Sequence, residues 1–190
     1  MTNTTLIVFV AVILLVVVGV AAMISARKQR TKRLEEKFGP EYDHAISQVG
    51  DQVQAEKELE ERVAHMNALN IRPLSAEEVN HYGLEWQETQ REFVDEPLLA
   101  LQKADRLIRE VMKAKGYPVE DFEERAALLS VDYPELVRDY RGLQRIAIKQ
   151  VKDKVSTEDM RQAMVHGRSL FESLMKQEPK EEDINQKEKI

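Results

Sequence analysis

The sequence predicts an all-α chain: one N-terminal transmembrane helix followed by a bundle-like soluble domain of five or six helices. Three observations predict it. Residues 6–24, LIVFVAVILLVVVGVAAMI, hold no charged or polar side chain. Gly and Pro are sparse, at 7 and 6 in 190 residues, whereas an all-β chain needs turn residues about every 8–12 positions. Beyond residue 40, apolar residues recur at three- and four-residue steps, and no segment alternates as a half-buried strand does.

The apolar stretch, bounded by Leu6 and Ile24, is the predicted membrane anchor. As a helix it rises about 28 Å, close to the ~30 Å of a bilayer's hydrocarbon core. A cleaved signal peptide is the competing reading. Against it stand a start without a basic residue, an apolar run longer than a signal core, and bases where a cleavage site would fall.

Residues 1–5 are read as a short extracytoplasmic N-terminus and 25–40 as a basic juxtamembrane helix ending in a break. Arg27, Lys28, Arg30, Lys32 and Arg33 follow the span directly, and no Lys or Arg precedes it. The positive-inside rule then puts the C-terminal side in the cytoplasm of a cell whose inner (plasma) membrane holds the span. The same five bases are expected to face anionic lipid. Gly19, Ala22 and Ala26 would let two spans approach closely, which admits a homo-oligomer.

Gly39-Pro40 should end the first helix, since Gly permits a left-handed cap and Pro cannot continue the ladder. A helix over about 41–69, with a break allowed at Gly50, carries Leu59, Val63 and Met66 on one face. Ser75 and Glu78 form a capping box for a helix with the stripe Val79, Tyr82, Trp86 and Phe93. Pro97 opens another, with Leu101, Ala104, Ile108, Val111 and Met112 on one face and Gly116 at its end. Shorter helices follow over about 121–129 and from Pro134 to about 149. The last is predicted from Ser156 to about 177, with Met160, Ala163, Met164, Gly167, Phe171, Leu174 and Met175 inward. Residues 41–177 are read as one acidic helical domain and 178–190 as a charged, disordered tail.

The strings FGPEYD (38–43), IRPL (71–74), REFVDEP (91–97), ADRLI (104–108), MKAKGYPVEDFE (112–123), LSVDYPELV (129–137) and MVHGRSLFESL (164–174) carry a resemblance. Together they resemble a family of bacterial single-pass membrane-anchored helical proteins with no assigned activity. The resemblance implies an apolar N-terminal span and a helical domain, and it brings no catalytic residue. Gly167 stands where the resemblance leads one to expect an aromatic residue.

Composition narrows the chemistry. All 34 acids follow the basic collar, so the domain repels phosphate backbones and no nucleic-acid partner is expected. Cysteine is absent, which removes thiol catalysis and Cys-bound metal. The lone Glu78-x-x-His81 lacks the second such motif that a di-iron bundle needs. No phosphate loop occurs, and neither Ser130 nor Ser169 sits in a nucleophile elbow. No catalytic residue, metal or cofactor is therefore assigned. The expected function is a membrane-tethered, non-enzymatic interaction module with a protein partner. Arg72, Trp86 and Asp95 are its candidate interaction residues, with an internal carboxylate clamp the favoured role for Arg72 and a core position for Trp86. Two alternatives stand beside it: a membrane-proximal enzyme using carboxylates or His81, and an envelope-assembly protein with its domain outside.

Overall fold

The structure is a computed structural model that describes residues 3–148 and 155–176, with side chains from Ala11 onward. The side chain of Leu6 and the predicted tail at 178–190 lie outside the described residues. Eight helices and no strand occur among the described residues. The chain forms two compact units, Met1–Leu59 and Glu60–Ile190.

In the first unit, α1 (Asn3–Phe38) is one unbroken helix through the apolar stretch and the basic collar. It is long and apolar enough to cross a membrane. Gly39, at φ 48°, ends it, and Pro40 opens α2 (Pro40–Val49) at its first position. α2 ends at Gly50, whose φ of 78° sets a left-handed cap with its N–H on the Ile46 carbonyl. The Asp51 carboxylate then accepts from the Gln54 amide, 2.8 Å away, and starts α3 (Gln52–Ala68). Gly50 thus divides the segment 41–69 at the break the sequence allowed, and seven helices follow α1 among the described residues. Leu34 and Phe38 of α1, Tyr42 and Ala45 of α2, and Ala55 and Leu59 of α3 are buried.

The second unit holds the end of α3 together with α4 (Ala76–Glu92), α5 (Pro97–Lys115), α6 (Phe122–Asp132), α7 (Pro134–Ile148) and α8 (Thr157–Met175). α5 is its centre and packs on α4, α7 and α8. Ala100, Leu101, Ala104, Leu107, Ile108, Val111 and Met112 form its buried stripe at helical spacing. Each large apolar side chain so buried contributes about 2 kcal/mol. The predicted capping box, Ser75 with Glu78, is present on α4, and the predicted helix start at Ser156 is a second one, with Asp159, on α8.

Gly116 ends α5 at φ 101°, and a Cβ there would lie 2.6 Å from the Asn70 carbonyl oxygen. The connector before α4 therefore runs against the end of α5, where the Arg72 amide donates to the Lys115 carbonyl at 2.9 Å. Gly167 lies where α8 meets Leu143 of α7 and Trp86 of α4; a Cβ there would be 2.9 Å from Leu143 Cδ1. An aromatic side chain at this position would need both neighbours to move.

Candidate functional site

Positions 27, 28, 31, 32 and 35 fall on one side of an α-helix. On α1 these are Arg27, Lys28, Thr31, Lys32 and Glu35, and with Arg30 they line a solvent-open cleft of about 400 Å³. Gln52, Val53 and Glu56 of α3 complete the lining. Four bases thus face two acids. Four of the five collar residues line the cleft; Arg33, roughly 200° round the helix from Thr31, does not. Arg27 and Lys28 have no hydrogen-bond or ion-pair partner among the described residues. Lys32 reaches Glu36 at 3.5 Å on the exposed surface, a pairing of little energetic weight.

Glu56 is the hub of the cleft wall and is 5% exposed. One carboxylate oxygen accepts from the Thr31 hydroxyl at 2.6 Å, the Tyr42 hydroxyl at 2.9 Å and the Gln52 amide at 3.1 Å. The other lies 3.7 Å from Arg30 Nε. Burial pushes the Glu56 carboxyl upward, but the three hydrogen bonds and the Arg30 charge outweigh it and hold it below its ordinary value. Burial and the neighbouring carboxylate push the Tyr42 phenol up, so it stays a donor. The hub ties three helices together through side chains alone, and it orients Arg30 in the cleft wall.

The other singled-out residues lie in the second unit. Arg72 grips Glu78 through two bonds, at 2.6 and 2.9 Å. The guanidinium, with the Ser75 amide, holds the Glu78 carboxyl down at about 2. Trp86 is 5% exposed and stacks on Phe171 with ring centroids 4.4 Å apart. Asp95 is exposed in the turn before α5. Arg72, Trp86 and Asp95 are thus a clamp, a core ring and a turn residue, and no hydrogen bond, ion pair or ring contact joins them. His81 is exposed, 3.4 Å from Glu85, while Glu78 is occupied by Arg72 and Ser75. No group of three or more His, Asp or Glu that could hold a metal ion occurs among the described residues.

The second unit also buries a cluster that sequence reasoning assigned only in part. Arg125 is 4% exposed. Its guanidinium donates to the Val119 carbonyl, to the Asp121 carbonyl at 3.3 Å and to the Tyr140 hydroxyl at 2.8 Å. Asp105, which sequence left open between a buried pairing and a solvated flank, is buried, with Arg109 Nε at 3.2 Å. Arg106 is exposed and faces Glu110. Burial raises the Asp105 carboxyl above its usual range, with Arg109 and Arg125 opposing. Burial likewise pushes the Tyr140 phenol up to about 12. This cluster sits among packed helices, and the buried Ser130 hydroxyl of α6 donates to the Ala127 carbonyl one turn back.

Sequence reasoning found the bases of the cleft but missed Glu56, Thr31, Tyr42 and Gln52. The available signal was the place of Glu56 beside Ala55, one and three residues from buried apolar positions of α3, with Gln52 one turn earlier. No family model, curated protein or solved structure matches the chain.

Proposed function

We propose that this chain is a single-pass membrane protein whose anchor holds a non-enzymatic helical interaction module at the cytoplasmic face of the plasma membrane. The observation that carries the reading is the surface of α1. Its side chains from Val12 to Ile24 form an uncovered apolar cylinder, the large ones 47–72% exposed, on the same unbroken helix as the basic collar. Such a surface is stable in lipid and costly in water. Bases stand on the C-terminal side of the span only, which supports a cytoplasmic domain.

Tethering confines the module to two dimensions and raises its effective concentration for other membrane-bound proteins. The second unit suits a docking body better than a catalyst, since two of its buried charges, Arg125 and Lys115, are engaged in holding a turn and a helix end. A protein partner, and self-association through Gly19 and the nearby alanines, are parts of the same proposal.

The test is extraction and topology of the full chain in its native membrane. The expected result is retention through an alkaline carbonate wash, an intact N-terminus, and a reporter at Ile190 that is active only in the cytoplasm. Affinity capture in mild detergent should enrich a partner with the full chain and lose it when residues 1–33 are removed. A mature form starting near residue 27 and free of the membrane overturns the proposal. A reporter active outside would instead favour an envelope-assembly role.

A further inference from the structure

We infer that the cleft on α1 and α3 is a binding site for the phosphate group of an anionic phospholipid. The inference rests on the membrane-anchored reading and adds a ligand to it.

Depth is the first argument. The span ends at Ile24, and Arg27 to Lys32 follow on the same unbroken helix, so they lie about 4–12 Å beyond the hydrocarbon edge. The headgroup layer is roughly 5–8 Å thick on each side. The upper rim of the cleft, at Arg27 and Lys28, therefore stands at headgroup depth, and the long side chain of Lys32, leaning back toward the helix N-terminus, reaches that layer from below.

Charge is the second. The lining carries Arg27, Lys28, Arg30 and Lys32 against Glu35 and Glu56. The Glu56 carboxylate is already occupied: one oxygen takes three hydrogen bonds and the other faces Arg30. It repels an incoming anion less than a free carboxylate would. Arg27 and Lys28, in contrast, have charges with no partner among the described residues. Arg30 is pre-positioned, its side chain 31% exposed and held by Glu56, so little rotamer entropy is lost when it meets a phosphate.

Shape is the third. A volume of about 400 Å³ falls in the range of small-ligand sites. Val53, 59% exposed, adds an apolar side chain to the lining. A diffuse collar needs none of these features, because it attracts anionic lipid from any side of the helix.

The test compares two equal charge changes at adjacent positions. Lys32→Gln removes a cleft base, and Arg33→Gln removes a collar base on the other side of the helix. The chain has no cysteine, so Val53→Cys gives a single site for a polarity-sensitive fluorophore. The labelled full chain is placed in nanodiscs of phosphatidylcholine with increasing phosphatidylglycerol. An emission change that saturates is expected. Lys28→Gln and Lys32→Gln should each raise the phosphatidylglycerol needed for half the change by about fivefold, and Arg33→Gln should raise it by clearly less. Native mass spectrometry of unlabelled chain should show one tightly retained phosphatidylglycerol, lost in Lys28→Gln. Inorganic phosphate added to phosphatidylcholine discs should leave the emission unchanged.

Equal effects of Lys32→Gln and Arg33→Gln, with the chain still in the membrane, overturn the site and leave the anchor reading intact. A response to inorganic phosphate as strong as that to phosphatidylglycerol overturns the lipid as the ligand. A chain that washes off the membrane overturns both.

Discussion

Glu56 in the first unit and Arg125 in the second are both buried ions, 5% and 4% exposed, yet their partners differ in kind. Glu56 is held by side chains from three helices: Thr31 and Arg30, Tyr42, and Gln52. Arg125 is held largely by main chain, the carbonyls of Val119 and Asp121, with the Tyr140 hydroxyl as third acceptor. It also lies over the Phe122 ring, 5.4 Å from the centroid. Carbonyls in a turn cannot swing away, so Arg125 fixes the path of the chain into α6. Side-chain partners can rotate, and those of Glu56 border an open cleft. The Arg125 arrangement suits a staple; that of Glu56 suits a site that answers to pH or to a ligand.

Replacing Arg125 by Leu should have the largest effect. It strands two carbonyls and a buried hydroxyl, and a loss of about 3 kcal/mol is expected in urea unfolding followed by circular dichroism. A loss below about 1 kcal/mol would mean that water serves those acceptors as well, and the contrast with Glu56 would dissolve.

Glu56→Gln comes next. Gln keeps an acceptor for Thr31 and Tyr42 but turns an amide toward Arg30. About 1–2 kcal/mol of local stability should be lost near neutral pH, read as faster amide exchange in α2. The folded carboxyl titrates below its ordinary value of 4.5. Its contribution is therefore complete above that value and is lost as pH falls through the lower, folded one. The parent should lose α2 protection on acidification, while the Gln variant should not. Equal acid sensitivity in both would place the effect on other groups.

Tyr42→Phe should be the mildest. It removes one of the three donors to Glu56 and leaves the ring packed, at a cost of about 0.5–1.5 kcal/mol. It should also raise the Glu56 pKa, since one stabilising hydrogen bond is gone. An unchanged midpoint for the acid loss of α2 protection would show that Thr31 and Gln52 suffice.

The helices themselves were legible in the residues. Ser75 and Glu78, Ser156 and Asp159, Pro40, Pro97 and Gly116 mark their ends, and the predicted ends agree with the observed ones to within a few residues. Gly116 shows the limit of that reading. As a helix cap it was foreseeable; that the Asn70 carbonyl crowds the same position was not, because it lies 46 residues earlier in the sequence.

Local pattern determined what is local here. The uninterrupted apolar run, the basic collar behind it, the helix starts and stops, and the inward stripes all follow from periodicity and capping over a few residues. Only the tertiary structure decided which charges are buried and what they touch. It brought Glu56 to Thr31 across 25 positions, set Arg125 on Tyr140, laid Trp86 on Phe171 and sorted Asp105 inward from Arg106. A charged residue beside an apolar stripe reads the same whether its head meets water or a partner on another helix. That choice depends on the approach of the second helix, and spacing along one helix does not encode it.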